Sequence, residues 1–126
     1  MEYSLTNAGV DAVAELFSAR VSRVAVGTGT RAVSGGDTAL DAKLYEESVE
    51  TAAATVETVN KAGTVRVSIV VTGGLGVPAD ADIYELGVLD SDGQLLYRQV
   101  SDNPRTVDAG QTLKIESDIR FSQTTV

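Results

Sequence analysis

The chain contains no histidine, no cysteine and no tryptophan. The first two absences remove most of the catalytic alphabet. No serine–histidine–aspartate triad, thiolate nucleophile or imidazole base can be assembled, and no Cys/His zinc site can form. Without cysteine, no disulfide reports on compartment. Aromatics are scarce, with four Tyr and two Phe. That leaves little to build the sugar-stacking cleft that a carboxylate pair for glycoside hydrolysis would need. The expectation is therefore a protein that is not an enzyme and carries no cofactor. No apolar run exceeds the length of Ile69-Val70-Val71, far short of the roughly 20 residues of a membrane span. The N-terminus lacks a basic stretch followed by an apolar one, so no signal peptide is expected.

What is present is a single-domain length of 126 residues, with a globular balance of 43% hydrophobic and 22% charged residues that permits a core without covalent staples. Eighteen acidic residues face ten basic ones, a net charge of -8. That balance argues against nucleic acid, whose binding requires a basic footprint, and against an anionic membrane surface. Only three of the basic residues are lysines, Lys43, Lys61 and Lys114. High acid with low lysine resembles proteins of salt-loving organisms, in which carboxylates keep the surface hydrated when salt screens other charges. An ordinary acidic domain is the alternative.

Hydrophobic patterning predicts one helix followed by strands. Val10, Val13, Leu16 and Phe17 recur at helical spacing over 6–18, with Thr6 or Asn7 as cap. A short strand over 21–26 ends at Gly27-Thr-Gly-Thr30. A polar, glycine-rich loop over 31–37 and a helical turn over 38–44 follow. The β region then holds a long alanine-rich strand over 46–59, a hairpin loop Asn60-Lys-Ala-Gly63 and a cleanly alternating strand over 64–72. After a loop over 73–82 come strands over 83–89 and 94–100, separated by Asp90-Ser-Asp-Gly93, a strong hairpin signal. A polar loop over 101–110 precedes the last strand, in which Leu113, Ile115, Ile119 and Phe121 face inward. The architecture expected is mainly β, an antiparallel sandwich or small barrel over about 21–122, with the helix packed on one side.

Candidate sites are few. Gly27-Thr-Gly29 after a strand is similar to a relaxed dinucleotide fingerprint, but no helix follows to present its N-terminus to a pyrophosphate, and a turn is the simpler reading. Asp90, Asp92 and the loop pair Asp80 and Asp82 could hold Ca²⁺, but Asp90-Ser-Asp-Gly93 supplies only the beginning of such a loop, without its later ligands. A turn using Asp and Gly at their preferred places is the favoured reading. Glu85 lies in an otherwise apolar strand, sharing a face with Ile83 and Leu89 on strict alternation. A carboxylate there needs a partner, and Arg98 across the hairpin can supply it; contact with another subunit is the functional alternative. The Val10, Val13, Phe17 stripe either packs on its own sheet or docks on a neighbour.

Three separated stretches together resemble a module of tailed-virus tail and baseplate proteins. They are Val24-Ala-Val-Gly-Thr-Gly-Thr30 with Asp37-Thr-Ala-Leu40 and Tyr45-Glu46, then Ile83-Tyr-Glu-Leu-Gly-Val-Leu89 with Asp90, then Leu95-Leu-Tyr-Arg98. Their order covers roughly 20–121. The family often carries Phe at the place of Leu89, and Lys-Thr where Arg105-Thr106 stands. The resemblance implies a structural protein of a tailed virus particle, located in the virion, with no enzymatic role. Its partners would be copies of itself, a trimer favoured, and other virion proteins. Because the chain stops at Val126, an adaptor, baseplate or tail-tip component is expected rather than a receptor-binding fibre. Capsid decoration is the near alternative, and a haloarchaeal virus the natural host setting. A cellular sandwich module binding carbohydrate or Ca²⁺ is the reading from another class. Val10, Val13, Phe17, Gly27, Gly29, Glu85, Gly87, Arg98 and Arg105 are the residues expected to carry structure or interfaces.

Overall fold

A computed structural model describes residues 5–51, 53–58 and 63–121. The N-terminal helix, α1, spans Asn7–Arg20, and the Thr6 side chain caps it by accepting from the Gly9 amide at 3.1 Å. Eight strands follow: β1 Arg23–Gly27, β2 Lys43–Ser48, β3 Ala54–Thr58, β4 Thr64–Gly73, β5 Gly76–Val77, β6 Ala81–Leu89, β7 Leu95–Val107 and β8 Thr112–Arg120. One antiparallel sheet has the order β2-β1-β6-β7. In the other, β4 is flanked by antiparallel β3 and β8, with the two-residue β5 running parallel to its end.

The two sheets face each other across a core of β-branched and aliphatic side chains. Val24, Val26, Leu86 and Val88 from the first sheet meet Val65, Val67, Ile69, Val71, Ile115 and Ile119 from the second. This is the mainly β sandwich that the alternation predicts. Helix α1 packs against β3 and β4. Val10 and Ala14 are buried, and Phe17 meets Phe121 edge-on with ring centroids 5.3 Å apart. Val13 is half-buried. The helical stripe thus packs on the second sheet of its own chain. Leu16, expected in that stripe, is 73% exposed on the opposite side. Asp11 fixes the helix further by accepting from the Gly63 amide. Gly63 has φ +69, as the hairpin reading requires; Asn60–Ala62 of that loop lie outside the described residues.

Four segments differ from the sequence pattern, each for a local reason. The strand expected over 46–59 is two strands in different sheets. Hydroxyls end the first one: the Ser48 side chain accepts from the Glu50 amide, and Thr51 bonds both the Ser48 carbonyl and Glu47. Residues 38–44 form no helical turn, because the Asp41 and Ala42 amides are taken by Glu85. Within 73–82 the backbone makes β5 and the start of β6. The polar loop expected from 101 instead continues β7 to Val107. Pairing with β6 breaks between Glu85–Val100 and Ile83–Arg105, so 101–104 bulge from an edge strand. Pro104, lacking an N–H, is tolerated there. The same break ends the alternation of β6: Ile83 belongs to the inter-sheet core with Leu86 and Val88, while Glu85 faces outward from it.

Candidate functional site

The outward face of the first sheet is not bare. Residues 28–42 leave β1, cross over β6 and β7, and return to β2 as a third layer. The floor beneath them is made of small residues. Ala25 pairs with Gly87 and is fully buried; a Cβ on Gly87 would stand 2.7 Å from Leu40 Cδ2. Two charged side chains rise from this floor and hold the layer down by its backbone.

Glu85 is 1% exposed. Its Oε1 accepts from the Asp41 amide at 2.9 Å and from Arg98 Nε at 3.0 Å; its Oε2 accepts from the Gly29 amide at 2.9 Å and the Ala42 amide at 2.8 Å. Four donors fill the four acceptor sites of a carboxylate. Arg98, also buried, donates through its remaining nitrogens to the Arg31 carbonyl at 2.9 Å, the Ala32 carbonyl at 3.5 Å and Asp37 Oδ2 at 3.2 Å. Asp37 in turn accepts from the Ser34 amide and from Arg31, which also reaches Asp41. Among the described residues no buried side-chain nitrogen or oxygen lacks a partner. The network is a fully satisfied ionic lock, the condition under which buried charge is tolerable.

The lock explains the glycines. A Cβ on Gly27 would lie 2.4 Å from the Ala42 carbonyl oxygen and 2.6 Å from Glu85 Oε2; on Gly29 it would lie 2.5 Å from both Asp41 Cβ and Glu85 Oε2. Gly27-Thr-Gly29 is therefore a cradle for an internal carboxylate, and the Gly29 amide that a phosphate would need is already engaged. Glu85 pairs with Arg98, as the sequence suggests, but is enclosed and cannot contact another subunit.

The remaining candidates fall elsewhere. Asp90 Oδ1 accepts from the Asp92 and Gln94 amides, and Oδ2 from Arg20. Its oxygens close the β6–β7 hairpin and tie it to the end of α1, so both Asp90 oxygens are engaged within the chain. Asp82 accepts from the Thr106 hydroxyl. Among the described residues no three acidic side chains converge as a metal site would require. Arg105 is exposed, opposite Ile83 at the end of the β7 bulge. Sequence reasoning missed Asp37 as the second counter-ion of Arg98 and the backbone donors of 29, 41 and 42. The signal was there in part: a buried carboxylate has four acceptor sites, and one arginine cannot fill them.

Glu85, Asp37 and Asp90 titrate below the ordinary carboxylate range. Burial pushes Glu85 up, but the amides of Ala42 and Asp41, Arg98 and the Gly29 amide together outweigh it. Asp37 is held down by the Ser34 amide and Arg31, and Asp90 by the Gln94 amide and Arg20. A carboxyl depressed in the folded state stabilises the fold above its unfolded pKa of about 4, and that contribution is lost as pH falls through the folded value. Stability to urea should therefore be flat above about pH 5 and fall steeply below pH 4. Midpoints unchanged down to pH 2.5 would contradict this assignment.

Compared with known proteins, the chain matches no protein-family model and no curated protein.

Proposed function

We propose that the chain is a non-enzymatic structural protein of a tailed virus particle, a tail or baseplate component that works by repeated contact with copies of itself. One observation supports the reading above others. Seven of the residues that carry the resemblance, Gly27, Gly29, Asp37, Leu40, Glu85, Gly87 and Arg98, share a single physical task. Gly27 and Gly29 cradle Glu85, Asp37 holds Arg98, and Leu40 rests on Gly87. A chance likeness of composition has no reason to select residues that meet in one lock. The lock performs no chemistry on a ligand. It fastens an extra layer to a sheet, which is the requirement of a rigid tile.

The charge adds a condition. At -8 per copy, assembled subunits repel one another unless salt screens them, and the screening length falls from about 10 Å at 0.1 M to about 3 Å at 1 M. Size-exclusion chromatography with light scattering should find oligomers at high ionic strength that shrink toward monomer when salt is removed. A monomer at every salt concentration, stabilised instead by Ca²⁺ or a glycan, would replace this reading with that of a cellular binding module.

A further inference from the structure

The 28–42 layer is attached by different means from the rest of the fold. Of its residues only Gly29 is buried, and none joins the inter-sheet core. Its two large apolar side chains grip little: Val33 is 55% exposed, and Leu40 is half-buried over Gly87. Among the described residues, every hydrogen bond from the layer to the sheet beneath it runs through Glu85 or Arg98. Those two side chains are also each other's counter-ion, 3.0 Å apart. The attachment is polar and concentrated on one ion pair, while β4 and its neighbours are held by apolar packing. Segments with few buried apolar contacts open at a lower free energy than the core they cover.

We propose that this layer is an acid-released latch: it lifts from the sheet as one unit when Glu85 takes a proton, while the sandwich beneath stays folded. The inference stands on the lock alone and does not depend on the assembly reading. Its basis is the filled shell of Glu85. Each carboxylate oxygen already accepts from two N–H donors. A proton on either oxygen is a fifth donor with no acceptor to meet, so it must displace Arg98 or an amide of the layer. The closed layer therefore admits only the ionised carboxylate. Once the layer lifts, water reaches Glu85 and it titrates as an ordinary carboxyl. Asp37 repeats the arrangement at the second grip, its oxygens taken by Arg31, Arg98 and the Ser34 amide. The charged groups around Glu85 are Arg98 from β7 and Arg31, Asp37 and Asp41 from the layer. Strand β1 sets Gly27 beside it, and Lys43 at the layer's end is paired with Glu46. Opening thus takes up protons, one at Glu85 and one at Asp37. Below the ordinary carboxylate value of about 4, each proton raises the opening constant about tenfold per pH unit; above it the constant is level.

Native-state hydrogen exchange on the whole chain, from about pH 5 to about pH 3 and corrected for the intrinsic rate, tests this. Below about pH 4 the Gly29, Asp41 and Ala42 amides should lose protection by roughly 10- to 100-fold per pH unit, one factor of ten for each proton. The amides of β4 should stay protected over the same range, with circular dichroism showing the strands intact. Asp37→Asn leaves the Glu85 shell in place and should keep a dependence of about tenfold per pH unit. Glu85→Gln should leave the three amides poorly protected at every pH. Should that variant not fold, Asp37→Asn carries the test. Loss of protection in parallel at the layer and at β4 would make the event global unfolding and overturn the latch. Layer amides whose protection stays level to about pH 3, in wild type or in Asp37→Asn, would overturn Glu85 as its trigger.

Discussion

Replacing Glu85 by glutamine is expected to cost about 3–5 kcal/mol, a fall in melting temperature of roughly 10–20 °C for a chain of this size. The substitution keeps shape and volume and changes two things. It removes the negative charge beside buried Arg98, and it puts an amide NH₂ where an oxygen accepts two hydrogen bonds. Neither orientation of the glutamine escapes. One sets the NH₂ against the Gly29 and Ala42 amides, the other against the Asp41 amide and Arg98 Nε. Each stranded buried donor carries about 1–3 kcal/mol of lost solvation. Against a total stability of about 5–15 kcal/mol the variant is left marginal. Adding Arg98→Met to Glu85→Gln should lower stability by less than the sum of the two single changes, because each alone strands the other's charge. Glu116→Gln, at an exposed pair with Lys114, should leave melting unchanged. A Glu85→Gln protein melting within about 3 °C of wild type would mean that the lock does not hold the fold.

The second large effect comes from a single methyl group. Gly27→Ala places a Cβ 2.4 Å from the Ala42 carbonyl oxygen. That oxygen is not free to move, since it accepts from the Thr28 amide at 3.0 Å. Nor can the other neighbour yield, because Glu85 is held by four donors. Relief requires lifting the 28–42 layer from the sheet, so the penalty should reach the upper end of overpacking, about 3 kcal/mol. It should also be local. Hydrogen exchange should show lost protection at the Gly29, Asp41 and Ala42 amides while the amides of β4 stay protected. Gly35→Ala is the matched control: a Cβ there has no atom within 4 Å, and the change should be neutral or stabilising by up to about 1 kcal/mol. If Gly27→Ala retained those three protected amides, the cradle role of this glycine would be wrong.

Much of the sandwich is written in period-two alternation. Residues 64–72 and 113–121 read correctly because one face of each strand is mainly apolar and the other mainly polar, charged in the case of 113–121. The hairpin at Asp90-Ser-Asp-Gly93 read correctly because its turn chemistry is local. Failures occurred where distant groups override local preference. Residues 38–44 look like a capped turn, yet Asp37 binds Arg98, 61 residues away, and Glu85 claims the amides a turn would use. Residues 101–104 look like a loop and nearly are one, interrupting a strand whose pairing resumes at Arg105. Within the site, the Glu85–Arg98 pair was legible as a charge in an apolar strand that needs a neighbour. The backbone donors were not, since nothing in a sequence shows which amides a fold leaves unpaired.

The covering layer is clamped at two places and open between them. Arg98 grips the carbonyls of 31 and 32 and the carboxylate of Asp37, while no neighbouring atom limits a side chain at Gly35. Between these grips the Ser34–Asp37 turn is closed by its own hydrogen bonds, and its tip at Gly35 faces open space. The tip can therefore carry side chains of different size and chemistry while the framework beneath it is unaltered. Surface identity and scaffold are uncoupled at that one position.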